Sequence, residues 1–247
     1  MESIMNNRSN LFFIDGPGGT GKTFLYRSIL AHLRKNGNIV IAVATFGIAA
    51  TLLPGGRTAH SRFQIPLTPT SSTLCKIKKQ TDLSELIRRA KAVVWDEAPM
   101  TNRFAFGSVN QTFQDIMENK LSFGGKTIIL GGDFRQVLPV VKRGSMRDQI
   151  AASVSKSTFW HHVKILHLDQ NMRSAQDPEF SQFLLRVGDG MQDIVKDNFI
   201  RLSDSMIIPW EGEQSIHQLI NSIFPRMEDH VNDAEYMVDR AIITPKK

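Results

Sequence analysis

The stretch GPGGTGKT, from Gly16 to Thr23, has the residue types and the spacing that bind phosphate groups. Its glycines let the backbone turn with positive φ, so that its N–H groups can approach phosphate oxygens closely. A helix that begins near Lys22 would direct its positive N-terminal end at the same anions. Lys22 would then contact the β and γ phosphates, and Thr23 would ligate Mg²⁺. The predicted phosphate-binding residues are Gly16, Pro17, Gly18, Gly19, Thr20, Gly21, Lys22 and Thr23.

Two neighbouring carboxylates follow a later apolar run, in which Ala92 to Trp95 leads directly into Asp96 and Glu97. At the carboxyl end of a strand, Asp96 would hold the Mg²⁺ shell, and Glu97 would orient and polarise an attacking water. Such a pair is common after apolar runs. Its place behind a phosphate loop, in a chain that reads as a parallel sheet, gives it this catalytic meaning.

Two further polar residues follow strand-like runs. Thr127 to Leu130 leads through two glycines and an aspartate to Gln136, whose amide would lie beside the γ phosphate and sense hydrolysis. Lys164 to Leu168 leads to Arg173, a candidate charge-stabilising finger of the kind worth about 10³ to 10⁵ in rate. On spacing alone, a surface salt bridge remains the alternative for Arg173.

The elements that must position these residues can be predicted from hydrophobic patterning. Short, continuously apolar runs are typical of strands that are covered on both faces of a sheet. Such runs are Leu11–Ile14, Ile39–Ala44, Ala92–Trp95, Thr127–Leu130 and Lys164–Leu168. Helices are predicted between them at Lys22–Asn36, Ser84–Ala90 and Val109–Asn119. The alternation of strand and helix predicts an α/β fold with a parallel sheet and right-handed crossovers.

Two parts of the chain depart from this alternation. The pattern weakens from Pro54 to about Gln80, and we interpret residues 54–90 as a loop-rich insertion or wedge. After Arg173 the pattern becomes one of peripheral elements. Helices are predicted at Pro178–Val187 and Ser215–Ile223, with an apolar piece at Met206–Ile208 and a strand that begins at Ala241–Ile243.

Composition limits the class of protein. A chain of 247 residues, 41% hydrophobic and 22% charged, fits one large globular domain or one domain plus part of a second. No apolar run approaches the roughly 20 residues that span a bilayer, so no membrane association is expected. The single cysteine, Cys75, excludes an internal disulfide. A net charge of +6 is compatible with nucleic acid, but a solvated basic face explains it equally well.

Taken together, these blocks resemble superfamily 1 helicases of the 5′-to-3′ branch, most closely the petite-integration-frequency (PIF) family with the related Helitron transposon helicases. GPGGTGKT is similar to their first motif, and VVWDEAPM, Val93–Met100, to their second. Phe123–Val141 resembles their signature element and third motif, and LDQNMRS, Leu168–Ser174, their fourth. Thr45–Pro66 resembles the two DNA-contacting motifs between the first and the second.

The resemblance implies an α/β fold, namely a P-loop RecA-like domain whose parallel sheet is flanked by helices. On this basis residues 1–174 would form the ATP-binding lobe, and residues 175–240 a helical linker. Residues 241–247 would begin the first strand of a second lobe. We expect the fifth and sixth motifs of the family to lie beyond Lys247, and the adenine-reading glutamine segment to lie upstream of Leu11.

The resemblance also implies roles for individual residues, with ATP and Mg²⁺ as cofactors and single-stranded DNA as the partner of a monomeric protein. The implied nucleotide-site residues are Lys22, Thr23, Asp96, Glu97, Gln136 and Arg173. The implied DNA-lining residues are Thr45, Gly47, Thr58, His60, Ser61 and Phe63. Stacking of Phe63 on a base would contribute about 1–3 kcal/mol, and packing in the core is the alternative. For His60 the alternative is a structural hydrogen bond.

Three functional hypotheses follow. The first is an ATP-dependent, 5′-to-3′ DNA helicase that moves along single strands, in DNA repair, recombination or telomere maintenance. The second is a fragment that binds ATP and DNA without unwinding, and the third is another nucleotide-driven machine, such as a protein remodeller. The resemblance implies a nuclear location, with the mitochondrion as the alternative.

Overall fold

A computed structural model describes residues 11–196 and 199–244 of the chain. Its contacts divide the chain into two compact units, Met1–Met191 and Gln192–Lys247. The division lies further along the chain than the predicted end of the ATP-binding lobe at residue 174, and that predicted boundary stays a prediction. In the described part of the chain, every helix is too short or too polar to cross a membrane.

The first unit is built on a single parallel sheet. Its strands are β1 (Leu11–Asp15), β2 (Ile39–Ala44), β3 (Arg57–Thr58), β4 (Ala90–Asp96), β5 (Thr127–Gly132) and β6 (Val163–His167). Across the sheet they are ordered β3-β2-β4-β5-β1-β6, and every neighbouring pair is parallel. The predicted α/β fold and the predicted strands are confirmed, with end points that differ by a few residues.

Helices cover both faces of this sheet. They are α1 (Lys22–Lys35), α2 (Gly47–Thr51), α3 (Ala59–Phe63), α4 (Asp82–Arg89), α5 (Arg103–Met117), α6 (Met146–Ala152) and α7 (Pro178–Gly188). Short 3₁₀ turns occupy Ala98–Met100, Ser122–Gly125, Val154–Lys156 and Trp160–His162. The side chains of α1 and those of α5 lie in separate apolar clusters, which contain alternate residues of the strands. The two helices therefore pack on opposite faces of the sheet.

The helix α5 begins at Arg103 rather than at the predicted Val109. The cause is the Asn102 side chain, whose oxygen accepts the Phe104 N–H at 2.9 Å and caps the helix. An asparagine at this position satisfies one of the free N–H groups that every helix leaves at its start.

The interpretation of residues 54–90 as an insertion is wrong for their first part. Arg57–Thr58 pair with Val43–Ala44 and form the edge of the main sheet, and α3 follows at once. A strand of two residues is too short to show any hydrophobic period, so the pattern did not reveal it. The connection from Gln64 to Thr81 is irregular, as expected, although Cys75 within it is buried and its N–H donates to the Thr112 hydroxyl at 3.0 Å.

The second unit contains short elements only. Two antiparallel strands, β7 (Ile194–Lys196) and β8 (Phe199–Ile200), precede α8 (Glu213–Ile223) and α9 (Ala234–Val238), with 3₁₀ turns at Asp204–Met206 and Met227–His230. The helix predicted at Ser215 is confirmed. The strand expected from Ala241 is wrong for residues 241–244, because no described strand pairs with them, and residues 245–247 lie outside the described residues.

Aromatic rings fill the core on the α5 face of the sheet. Phe63 is fully buried, with its ring centroid 5.9 Å from that of Trp95 and 5.4 Å from that of Phe113. The ring of Trp95 in turn lies 4.4 Å from that of Phe106. The core-packing alternative for Phe63 is therefore correct, and the base-stacking role implied for it is wrong. The ring of Phe46, between β2 and α2, is exposed by contrast, at 40% exposure.

This packing predicts a contrast between two phenylalanines. Phe63→Ala should lower the free energy of unfolding by about 3–5 kcal/mol, because it leaves a cavity among fixed aromatic rings. Phe46→Ala should change it by no more than about 0.5 kcal/mol, because that ring is exposed. Chemical denaturation followed by tryptophan fluorescence measures both. Equal losses in the two variants would contradict the burial of Phe63.

Candidate nucleotide site

The phosphate loop joins β1 to α1 and requires its glycines. Gly19 and Gly21 have φ values of 89° and 83°, a region that favours glycine. The helix α1 begins at Lys22 with no side-chain cap and no acidic residue in its first turn, so its terminal N–H groups can face an anion. Lys22 is buried, and its Nζ donates to the carbonyl of Gly16 at 2.5 Å and to that of Pro17 at 3.2 Å.

The predicted carboxylates lie at the end of β4. Asp96 is buried, and its Oδ1 accepts the N–H of Glu97 at 2.9 Å. Glu97 has a φ of 53°, a left-handed conformation that costs a non-glycine residue about 1–3 kcal/mol. Its Oε2 is buried and has no hydrogen-bond partner. Its capacity to accept a hydrogen bond is therefore unused among the described residues.

Burial determines the ionisation of both groups. Desolvation raises the pKa of Asp96, against the opposing effects of the Glu97 N–H and of the Lys22 charge. Desolvation, followed by repulsion from Asp96, raises the pKa of Glu97, and the Lys22 charge again opposes the rise. Of the three charged groups only Lys22 is cationic, so it partly offsets the repulsion between the two carboxylates.

Tyr26 of α1 lies beneath this pair and was not identified from the sequence. Its side chain is fully buried and its hydroxyl has no partner. Burial raises its pKa well above the usual value, and the charges of Asp96 and Glu97 raise it further. The hydroxyl occupies the space beside Gly131 of β5, where a Cβ atom would lie 1.6 Å from Tyr26 Oη. Gly131 is thus required by contact rather than by its backbone conformation.

The loop after β5 carries the predicted Gln136. Its side-chain nitrogen donates to Asp133 Oδ2 at 3.4 Å, and its backbone N–H donates to the Asp133 carbonyl at 3.2 Å. The buried Asp133 also accepts the N–H of Arg135 at 3.0 Å. The Arg135 side chain donates in turn to Asp189 at 2.6 Å, just after α7. Sequence reasoning missed Asp133 and Arg135 as the residues that hold Gln136 in place.

The segment after β6 is bound directly to the phosphate loop. The Met172 N–H donates to the Gly19 carbonyl at 2.9 Å, and the Asn171 side-chain nitrogen donates to the Gly18 carbonyl at 3.2 Å. Asn171 Oδ1 accepts the N–H groups of Arg173 and Ser174 at 3.0 and 3.1 Å. A Cβ atom on Gly19 would lie only 2.5 Å from that oxygen. Close contact with Asn171 is thus a further reason for glycine at position 19, and this reason depends on tertiary packing.

Arg173 is held over the loop by these bonds. It forms no ion pair with any carboxylate of the described residues, so the surface-salt-bridge alternative does not apply to this structure. A cavity of about 490 Å³ brings it together with the other predicted nucleotide-site residues. The predicted residues that line this cavity are Gly18, Gly19, Gly21, Lys22, Thr23, Asp96, Glu97, Gln136 and Arg173. The volume is in the range of ligand pockets, about 300–1,000 Å³.

Several residues implied for DNA contact have other partners. The Thr45 hydroxyl donates to the Glu97 carbonyl at 2.6 Å and lies 2.7 Å from the Thr101 hydroxyl, and its implied DNA contact stays a prediction. The Thr58 hydroxyl caps α3 by accepting the Ser61 N–H at 3.3 Å. Burial lowers the pKa of His60. Gly47 and Ser61 are exposed, and their contact with DNA stays a prediction.

A parallel sheet with a phosphate loop after its first strand and carboxylates at the end of another defines a RecA-like P-loop nucleotide-binding domain. Comparison with known proteins narrows this class. The family described as PIF1-like helicase matches residues 1–198, and the chain belongs to that family. The suggested resemblance is thereby confirmed at the level of the family, while its plant or Helitron-like branch stays a prediction.

Two curated relatives are longer than this chain. The chain is similar to the ATP-dependent DNA helicase PIF1 of Candida albicans, with 29% identity over 208 residues, 80% of this chain and 23% of the relative. It is also similar to the ATP-dependent DNA helicase RRM3 of Saccharomyces cerevisiae, with 33% identity over 201 residues, 78% of this chain and 27% of the relative. The chain thus spans about a quarter of the length of these relatives.

Solved structures share the fold. The Pif1 helicase from Bacteroides, in complex with ADP-AlF3 and single-stranded DNA, superposes with a TM-score of 0.66 at 24% identity. The match covers 90% of this chain and 55% of that protein. The Pif1 helicase of Candida albicans superposes with a TM-score of 0.59 at 25% identity, over 76% of this chain and 42% of that protein.

The raised pKa of Glu97 predicts an effect on stability. An ionised Glu97 is less favourable in the folded than in the unfolded chain, so folding is penalised above its raised pKa. The penalty is relieved as the pH falls through the raised pKa towards the ordinary one, because the carboxyl group becomes neutral. Glu97→Gln should therefore raise the melting temperature at neutral pH, by about 2–4 °C for each kcal/mol of relieved desolvation and repulsion.

The measurement is a series of thermal melts from neutral to acidic pH. The gain from Glu97→Gln should shrink as the pH falls through the raised pKa of Glu97, and it should be absent below the ordinary pKa of glutamate. Glu179→Gln, at an exposed position of α7, is the control and should give no such gain. A melting temperature of Glu97→Gln at or below that of the parent at neutral pH would contradict the assigned cause.

Proposed function

We propose that this chain forms the ATP-binding lobe of an ATP-dependent DNA helicase, which couples ATP hydrolysis to movement along single-stranded DNA. The observation that carries the proposal is the unpartnered, buried Oε2 of Glu97, in one cavity with Lys22 and Arg173. A carboxylate with a free oxygen beside a phosphate loop is suited to orient an attacking water.

The residues divide the work of hydrolysis. The N–H groups of the loop and of the first turn of α1 bind the phosphates of ATP, and the Lys22 ammonium exchanges its two carbonyl partners for phosphate oxygens. Glu97 accepts a hydrogen bond from the attacking water and polarises its O–H bond, which increases the electron density on the water oxygen. Gln136 and Arg173 face the same cavity, where Arg173 offsets the negative charge that grows on the transferred phosphoryl group.

The donor set fits Mg²⁺. Thr23 offers a hydroxyl oxygen and Asp96 a carboxylate oxygen, the hard ligands that this ion prefers. Among the described residues, no group of three or more histidine, cysteine or acidic side chains could hold a metal ion. One or two protein ligands with phosphates and water are typical for Mg²⁺. Bound there, the ion would neutralise charge on the β and γ phosphates.

Single-stranded DNA is the proposed partner, and a single chain the proposed working form. The support for DNA is the family, together with the Bacteroides relative, which was solved in complex with single-stranded DNA. The exposed Gly47 and Ser61 and the ring of Phe46 form the described surface that would meet the strand. Directed movement requires a second DNA-binding part of the protein, because only different affinities for DNA in two states can drive directed motion. The relatives are longer than this chain, and their additional length can include such a part.

The test compares ATP hydrolysis by the parent chain, Lys22→Ala and the exposed Lys35→Ala, each with and without single-stranded DNA. Lys22→Ala should lower the turnover by at least about 10²-fold, because it removes a preorganised cation from the phosphates. Lys35→Ala, at the far end of α1, should keep the parent rate. Stimulation of ATP hydrolysis by single-stranded DNA is expected in a longer version of the protein that includes the second DNA-binding part.

Two results would contradict the proposal. Equal turnover in Lys22→Ala and the parent would exclude the phosphate loop as the catalytic site. If a full-length version hydrolyses ATP at the same rate with and without single-stranded DNA, the protein-remodeller hypothesis is favoured instead.

A further inference from the structure

A polar cavity lies on the α5 face of the sheet, away from the nucleotide site. It has a volume of about 260 Å³ and is formed by the first half of α5 and by the segment from Lys156 to Phe159. The helix α1, which follows the phosphate loop, packs on the other face of the sheet. This cavity is therefore separate from the proposed ATP site.

Its lining holds positive charge without a counter-ion. Arg103 Nη1 donates to the Lys156 carbonyl at 3.1 Å, and the guanidinium lies 4.9 Å from the centre of the Phe104 ring. Neither Arg103 nor Lys156 forms an ion pair with a described carboxylate, and no acidic residue lines the cavity. Lys156 is exposed, but Arg103 is partly removed from water, and such a charged group is normally paired, so its guanidinium lacks an anionic partner among the described residues.

Two buried polar atoms in the lining lack partners. They are Arg103 Nε and the hydroxyl oxygen of Ser157, and both residues line the cavity. Buried donors in native proteins are nearly always hydrogen-bonded, and exceptions call for an explanation. An acceptor group bound beside them in the cavity would supply that explanation.

Gly107 keeps the cavity open. It lies in the interior of α5, where glycine is less favourable than alanine. A Cβ atom at this position would meet no atom within 4 Å, so neither packing nor a positive φ requires glycine here. The missing side chain leaves space in the cavity, which is the only structural consequence of this glycine that we find.

The first turn of α5 adds to the attraction for anions. Arg103 begins a helix of 15 residues whose first turn has no acidic residue, so that, although Asn102 caps one N–H group, no carboxylate there neutralises its positive end. A guanidinium, an ammonium and hydroxyl groups are the donors that proteins use most for the phosphates of nucleic acids. We infer that this cavity binds a phosphate group of a nucleic-acid strand, at a site distinct from the nucleotide cavity. The strand as the source of that phosphate rests on the proposed function.

The test is the binding of a fluorescein-labelled oligothymidine, followed by anisotropy over a series of KCl concentrations. Lys156→Ala and Arg103→Gln should each reduce the slope of log affinity against log salt by about 0.7, the value for one phosphate contact on a single strand. Lys156→Ala keeps the carbonyl that Arg103 uses, so it does not disturb the fold. The charge-matched control, Lys35→Ala, should leave the slope of the parent unchanged.

Gly107→Ala tests the cavity without any change of charge. Alanine should hold or raise the melting temperature of the protein, because it favours the helix and meets no neighbour. It should nevertheless weaken the binding of the oligonucleotide, by about tenfold if the methyl group displaces one phosphate contact worth 1.4 kcal/mol. A destabilised variant could not produce this combination.

A second arm uses inorganic phosphate, whose binding is followed by ³¹P line broadening in two proteins that both carry Lys22→Ala to weaken the phosphate loop, one of them with Arg103→Gln as well. Oligonucleotide binding that is equal in all pocket variants and in Lys35→Ala overturns the strand assignment, and loss of ³¹P broadening in Arg103→Gln would then assign the cavity to a free phosphate compound. Equal broadening in both proteins overturns the phosphate site itself. A parent that binds no oligonucleotide would contradict the proposed function, while the ³¹P arm still decides the cavity.

Discussion

The parallel register of β1 with its two neighbours is the constraint on which the site depends. Asp15 at the end of β1 lies opposite Gly132 of β5 and opposite His167 of β6, and Ala44 of β2 lies opposite Asp96 of β4. All functional loops therefore leave the sheet at one edge, which is formed by the carboxyl ends of its strands. Parallel sheets bind their ligands at this edge. A shift by one residue would move every buried side chain to the wrong face, so the two apolar clusters fix this register.

The same edge concentrates interactions that oppose folding and serve chemistry. Two buried carboxylates, an unpartnered tyrosine hydroxyl and a left-handed Glu97 all lie there. The loops around them are held by specific bonds: Leu168 N–H donates to the Asp15 carbonyl at 2.8 Å, and Asn171 joins the phosphate loop to Arg173. These bonds hold the backbone of Arg173 beside the phosphate loop, within the same unit of the chain.

The sequence predicted most of this arrangement and missed its supports, for identifiable reasons. Buried parallel strands appear as continuous apolar runs, so β1, β2, β4, β5 and β6 could be located, whereas the two residues of β3 carry no pattern. The phosphate loop and Asp96–Glu97 were found because their chemistry fixes their spacing. Asn171, Tyr26 and Asp133 were missed because their roles depend on contacts between distant segments. Phe63 has the same residue type in either role, and only its burial decides between them.

The most direct test of the account is a crystal structure of this chain with Mg²⁺ and ADP–aluminium fluoride. The account predicts the phosphates within the loop from Gly16 to Thr23, with Lys22 Nζ moved from the Gly16 carbonyl to phosphate oxygens. A water should lie within hydrogen-bond distance of Glu97 Oε2, and the bonds from Asn171 to Gly18 and Arg173 should remain. A nucleotide bound elsewhere, or Lys22 still on the Gly16 carbonyl with Glu97 turned away, would contradict it.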